Sequence, residues 1–109
     1  MNGQIRNHLE KYPPQIISLY ENIRQILYDS IPQEPNETLW AKLPSYYAGE
    51  SFVRIIPFRD HINIEAKAVT DHTEELSGYK ITPKGMLQIY LTNDIPHEVL
   101  KKIFYETLT

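Results

Sequence analysis

Residues 61–66 read HINIEA, the most regular alternation of apolar and polar side chains in the chain. A period of two is typical of a β-strand that has one buried face. The alternation puts the two isoleucines on one side of the strand and His61, Asn63 and Glu65 on the other. We therefore predict a strand whose isoleucines face a layer of helices and whose polar side chains face away from it.

Further strand patterns lie on both sides of this segment. They cover residues 38–42, 46–47, 52–58, 79–82 and 86–91. Turn signals that contain glycine separate some of them, at residues 48–50 and 83–85. Strands joined by tight hairpins are antiparallel. The sequence therefore predicts an antiparallel sheet of about five strands.

Helical patterns frame the strands. One covers residues 3–11, and a second begins at Pro14 and ends before Ile31, because the residue before a proline avoids the helical region. A capping-box signature predicts a short helix within residues 70–78, and a last amphipathic helix begins at Pro96. These helices can cover one face of the sheet. Residues 1–109 are thus expected to form one two-layer α+β domain whose other sheet face is partly open to solvent.

Composition and motifs exclude several classes of function. The net charge of −3 argues against nucleic-acid binding, and no apolar run is long enough for a membrane span. The chain has no cysteine, which excludes thiolate metal sites and cysteine nucleophiles. It has no apolar signal segment near Met1 and none of the motifs of hydrolases, kinases or dehydrogenases. We expect a cytoplasmic protein that is not an enzyme and has neither nucleic-acid nor membrane partners.

Two groups of titratable side chains have both a structural and a metal-binding interpretation. Residues 71–75 combine an imidazole with carboxylates, which are ligands for iron, zinc or manganese. Acidic residues are also ordinary at the start of a helix, where they complement its dipole. His61 and Glu65 share one face of a strand, and a metal site there would need a ligand from a neighbouring strand.

Aromatic side chains are concentrated on the predicted strands, at Trp40, Tyr46, Tyr47, Tyr79 and Tyr90. If they face away from the helices, they line a groove for a small organic anion or a partner peptide, with Lys42, Arg54 and Lys84 at its edges. If they face the helices, the same rings fill the core, and alternation alone does not decide between the two. The candidate ligand-binding residues are Trp40, Lys42, Tyr46, His61, Tyr79 and Lys84.

Six segments together resemble the bacterial YdhG-like, frataxin-like iron chaperone family. They read IxxHLxxYPP from Ile5, LWAKLPSY from Leu39, PFRDHI from Pro57, ELSGYK from Glu75, KGMLQI from Lys84 and IPxxVLxxI from Ile95. The resemblance covers nearly the whole chain, with the segments in the same order. It implies a frataxin-like sandwich, in which an antiparallel sheet is backed by helices.

The resemblance also implies a function, that of a non-enzymatic intracellular metal-binding protein. Such an iron chaperone donates iron for cofactor assembly to iron-accepting partner proteins. The first helices carry fewer acidic residues than the acidic ridge of frataxins. Iron would therefore bind weakly and would not be a tightly held cofactor. The protein is expected to be a monomer or a homodimer. The expected ligands are the carboxylates of Glu21, Asp29, Glu34 and Glu37. The alternative is a small-ligand or peptide binding module that uses an aromatic open face of the sheet.

Overall fold

Three α-helices and six β-strands follow one another along residues 1–109 of the computed structural model. The helices are α1 (Gly3–Leu9), α2 (Pro14–Ser30) and α3 (His97–Leu108). The strands are β1 (Asn36–Trp40), β2 (Leu43–Ala48), β3 (Ser51–Pro57), β4 (His61–Ala66), β5 (Lys80–Ile81) and β6 (Leu87–Tyr90). A short 3-10 helix, Lys67–His72, follows β4. None of the helices has the length and apolar content needed to cross a bilayer.

The strands form one antiparallel sheet in the order β1-β2-β3-β4-β6-β5. Helices pack on one face of it, so the predicted two-layer α+β fold is confirmed. The sheet has six strands where about five were expected, because residues 43–48 form a full strand. Ile62 and Ile64 are fully buried and join the core beneath the helices, as the alternation in β4 predicts.

The core is a single cluster of buried side chains between the sheet and the helices. In α2, Ile16, Tyr20, Ile23 and Leu27 recur at helical spacing and form one stripe that is fully buried. This helix begins with Pro14 in its first turn, where the missing amide N–H has no helical partner to lose. It ends at Ser30 because Ile31, which precedes a proline, is extended with φ −124° and ψ 149°.

Two local predictions are wrong. The strand predicted over residues 38–42 ends at Trp40, because Ala41 and Lys42 turn the chain back into β2. The helix predicted within residues 70–78 is replaced by the 3-10 helix, which begins earlier, at Lys67. Buried contacts explain the shift: Val69 packs in the core, and the backbone N–H of Ala68 donates to Thr107 Oγ1 on α3 at 3.1 Å.

Candidate functional site

The face of the sheet away from the helices is called the open face here. Its residues follow from the register, since paired residues share a face and successive residues of a strand alternate. The open face carries Thr38 and Trp40 of β1, Leu43, Ser45 and Tyr47 of β2, Phe52, Arg54 and Ile56 of β3, His61, Asn63 and Glu65 of β4, and Gln88 and Tyr90 of β6. No helix covers these side chains, yet many of them are aromatic.

Arg54 lies at the centre of the open face and is only 8% exposed. Its guanidinium carbon is 4.4 Å from the centroid of the Trp40 ring and 4.0 Å from that of the Phe52 ring. Each contact is a cation–π interaction, in which the negative face of the ring attracts the cation. The two rings therefore bury the arginine without any help from the helical layer.

Hydrogen bonds fix the orientation of the same guanidinium. Nε of Arg54 donates to Ser45 Oγ at 3.0 Å, Nη1 to Glu65 Oε1 at 3.2 Å and Nη2 to the Tyr47 hydroxyl at 3.3 Å. These partners come from both neighbouring strands. Arg54 thus ties β2, β3 and β4 together on the side that the helices do not reach, and it holds the Trp40 ring in a defined position.

A second aromatic group occupies one end of the open face. The His61 ring stacks between Phe58 and Tyr90, with centroid distances of 4.5 Å and 4.6 Å. Nδ1 of His61 is 2.7 Å from Asp60 Oδ1. Lys80 Nζ lies 5.5 Å from the centroid of the Tyr90 ring. The stack leaves Phe58 41% exposed at the tip of the β3–β4 turn.

Trp40 and His61 are the two predicted ligand-binding residues that lie on the open face. The indole of Trp40 is 52% exposed even though its ring contacts Arg54. Placing Tyr46 on this face is wrong. Tyr46 pairs with Val53 on the side of the helices, is fully buried, and its hydroxyl oxygen lies 2.6 Å from that of Tyr20. Burial raises the pKa of both tyrosines.

The other predicted ligand-binding residues lie apart from Trp40. Tyr79 precedes β5, packs against the core, and donates its hydroxyl hydrogen to the Asp94 carbonyl oxygen at 2.7 Å. Lys84 lies in the β5–β6 turn and lines a cavity of about 520 Å³ at one end of the sheet. Lys42 lies in the β1–β2 turn at the opposite end. The six candidates therefore do not form a single pocket.

The β1–β2 turn has an unusual backbone. Its two residues, Ala41 and Lys42, have φ values of 49° and 65°, both in the left-handed region. A two-residue hairpin of the I′ type needs such values, and Asn-Gly is the usual pair there. In an L-residue with a Cβ this conformation costs roughly 1–2 kcal/mol. No glycine or asparagine marks the turn, which explains why the sequence reasoning missed it.

Of the four predicted iron ligands, Glu37 and Asp29 bind other side chains of the protein. The Glu37 carboxylate accepts from Arg24 Nε at 2.6 Å and from the backbone N–H of Asn2 at 2.7 Å. Burial opposes its ionisation, but these hydrogen bonds outweigh burial and lower the pKa of Glu37. Asp29 accepts from Gln25 of its own helix. No three histidine, aspartate or glutamate side chains come together in a way that could hold a metal ion.

The cluster predicted around His72 connects two parts of the fold. His72 Nδ1 is 2.6 Å from Glu75 Oε1, and Nε2 is 2.8 Å from Glu106 Oε1 on α3. The hydrogen bonds that protonated His72 donates to Glu75 and then to Glu106 raise its pKa. Because each ring nitrogen faces a different carboxylate, the two acids do not converge on one ligand position. The cluster links the segment after β4 to α3.

Arg54, Phe52 and Phe58 form contacts on or beside the open face, and none of them was among the candidate ligand-binding residues predicted from the sequence. Arg54 was expected at the edge of a groove and lies instead at the centre of the open face. The sequence feature that could have identified all three is an alternation: Phe52, Arg54, Ile56 and Phe58 are every second residue. The pairing of β3 with β4 puts these residues on the same face as His61.

No protein-family model matches the chain, and neither a curated protein nor a solved structure is significantly similar to it. The contacts on the open face therefore carry the functional argument.

Proposed function

We propose that the chain is a binding module whose ligand lies on the open face of the sheet, against Trp40. The observation that carries the proposal is the state of this indole, which is 52% exposed and yet held on the buried Arg54 guanidinium. Exposed apolar surface is costly in water, and contiguous apolar patches usually mark a binding site. An aromatic ring that is already ordered loses little conformational freedom on binding.

A small molecule fits this face better than a peptide that adds a strand. Strand addition needs a free edge of the sheet. At one edge β5 is only two residues long, and at the other the Glu37 carbonyl of β1 accepts from Asn2 Nδ2 at 3.3 Å. The favoured ligand has a flat apolar body that stacks on Trp40. Further polar groups on the same face, Asn63 and Gln88, lie on β4 and β6, where Gln88 Nε2 donates to Asn63 Oδ1 at 3.2 Å.

Trp40 is the only tryptophan, so its fluorescence reports directly on the proposed site. We expect aromatic probes, namely phenol, benzoate and phenyl phosphate, to change its emission saturably. The Trp40→Ala variant then tests the site, with binding followed by calorimetry. The matched control is Tyr105→Ala, since Tyr105 is 54% exposed on α3 and lies on the helical side.

Saturable binding that survives in Tyr105→Ala and weakens in Trp40→Ala supports the proposal. Binding that is equal in both variants would place the ligand elsewhere and contradict it. A concentration-dependent increase in mass that Trp40→Ala abolishes would instead identify the open face as a contact between two copies of the chain.

The iron-donor function stays a prediction from the family resemblance. Calorimetry with Fe(II) under anaerobic conditions tests it, with a variant in which Glu21, Asp29 and Glu34 become glutamine or asparagine. Glu37 is better left intact, because its removal would leave Arg24 without its partner and change stability as well. Weak binding that the triple variant loses would support the prediction, and the absence of saturable binding would remove it.

A further inference from the structure

Three positively charged side chains and one histidine gather at the end of the sheet that holds the β1–β2 turn. His8 and Lys42 line two adjoining cavities of about 410 Å³ and 400 Å³. Lys11 also lines the first cavity, and Arg59 also lines the second. These four residues are called the basic corner here. Neither cavity is lined by an aspartate or a glutamate.

The charges of the basic corner are not neutralised within the protein. Lys11, Lys42 and Arg59 take part in no ion pair, whereas Arg24 and Arg54 each bind a glutamate. The chain as a whole has a net charge of −3, so a concave surface free of carboxylates runs against its composition. The positive surroundings also act on His8, whose pKa is lowered by burial and then by the charge of Lys11.

The backbone of the β1–β2 turn fixes the position of Lys42. Lys42 belongs to the basic corner and is also one of the two residues with a strained positive φ. Glycine would adopt φ 65° without a Cβ penalty. Strained backbone persists where the surrounding structure requires it, and it is frequent at ligand sites. Here the strained position carries a cation into a cavity that contains no acid.

The basic corner is continuous with the open face. The cavity of Lys42 and Arg59 is also lined by Leu43 and Ile56 of the open face and by Phe58 of the β3–β4 turn. A ligand seated there can place an apolar body on these side chains and a charged group among the cations. The required ligand is therefore a small organic anion with an aromatic or apolar body.

We infer that the basic corner binds the negative group, a phosphate or a carboxylate, of the small molecule held on the open face. This inference rests on the proposed binding function and specifies its ligand class. The cations are exposed, so the attraction weakens with added salt. Lys42 and Arg59 approach the anion from the two turns at this end of the sheet, and Lys11 and His8 approach it from α1 and the residues that follow it.

Phenyl phosphate is the probe, with inorganic phosphate and phenol as its separate halves. We expect phenyl phosphate to bind more tightly than either half, and its addition to shift the amide NMR resonances of the β1–β2 turn and of Arg59. Lys42→Gly should weaken binding about fivefold, the effect of removing one exposed charge pair. Benzoate in the same titration distinguishes a carboxylate ligand from a phosphate.

The matched control is Ala41→Gly, which relaxes the same turn and keeps the Lys42 side chain. Both glycine variants should raise Tm by a few degrees, because a strained residue has been replaced. Only Lys42→Gly should lose affinity. A Tm rise in both variants also shows that lost binding is not lost folding.

Two outcomes overturn the inference. In the first, Lys42→Gly and Arg59→Gln bind phenyl phosphate as tightly as the wild type, while Trp40→Ala binds it more weakly. That result would contradict the inference and still support the proposed function. The other is equal affinity for phenol and phenyl phosphate, which shows that the negative charge contributes nothing. If none of the probes binds to the wild-type protein, phenol included, both the proposed function and the inference are contradicted.

Discussion

The two faces of the sheet are stabilised in different ways. On the helix-covered face, Ile55, Ile64 and Leu87 are fully buried side by side across three strands. On the open face Arg54 holds β2, β3 and β4 together, through hydrogen bonds and two stacked rings. Burial of apolar area is non-directional and large, whereas cation–π contacts and hydrogen bonds are directional and modest. The covered face thus provides stability, and the open face provides positioned groups.

The largest expected effect is on the covered face. Ile64→Ala should lower the free energy of unfolding by about 2–5 kcal/mol, because it removes buried methyl groups and leaves a cavity. Its neighbour on the open face, Asn63, should tolerate alanine with a loss of about 1 kcal/mol, the value of one hydrogen bond. Urea denaturation measures both. Equal losses at the two positions would contradict the contrast between the faces.

The next effect is at the centre of the open face. Arg54→Lys keeps the charge but loses the planar fork that reaches Ser45, Glu65 and Tyr47, and we expect a loss of about 1–3 kcal/mol. Trp40 emission should change in the folded protein, since its ring rests on Arg54. Arg6→Lys on α1 is the control and should be neutral. Unchanged stability and unchanged Trp40 emission in Arg54→Lys would refute the positioning role.

Two adjacent tyrosines sharpen the comparison. Tyr46→Phe leaves the buried Tyr20 hydroxyl without its partner, and we expect a loss of about 1–2 kcal/mol. Tyr47→Phe removes a longer hydrogen bond at the rim of the open face and should cost less than about 1 kcal/mol. Thermal and urea unfolding of the pair measure the difference. A larger loss in Tyr47→Phe than in Tyr46→Phe would reverse the assignment of faces.

The smallest effect belongs to the exposed cluster of His72. Its pKa in the folded protein is raised by Glu75 and then by Glu106, so protonated His72 stabilises the fold at low pH. This contribution is lost as the pH rises through the raised pKa, because the folded state then releases its extra proton. We expect a change of less than about 1 kcal/mol, as for exposed ion pairs.

The measurement is the free energy of unfolding against pH for the wild type and for His72→Gln. The lowered pKa of His8 makes the free energy of unfolding change with pH in the opposite direction. This contribution is the same in both proteins, so it cancels when their free energies are subtracted. A difference that stays constant from mildly acidic pH, below the ordinary pKa of histidine, to alkaline pH would exclude the role of His72.

Long periodic patterns predicted most of the fold. The alternation in β4 identified the buried face because Ile62 and Ile64 are strongly apolar and their neighbours are polar. The stripe of α2 did the same for the helix. Each pattern is repeated over several residues, so one exception does not change the outcome.

Short signals failed where two choices had similar chemistry. Tyr46 and Tyr47 are identical side chains on opposite faces, and only the pairing with Val53 and Phe52 separates them. The turn at Ala41 lacks the glycine or asparagine that usually marks a positive φ. The role of Arg54 depends on partners from five other positions on β1 to β4, which no single stretch of sequence displays.

The most direct test of the central claim is the NMR signal of the Trp40 indole N–H during a titration with phenyl phosphate. Because the chain has one tryptophan, this resonance is assigned without ambiguity. Ligand binding on the open face predicts a saturable shift of the indole signal, together with shifts in β1 to β4 and none in the outer face of α3. A saturable titration in which the indole signal stays fixed would contradict the claim.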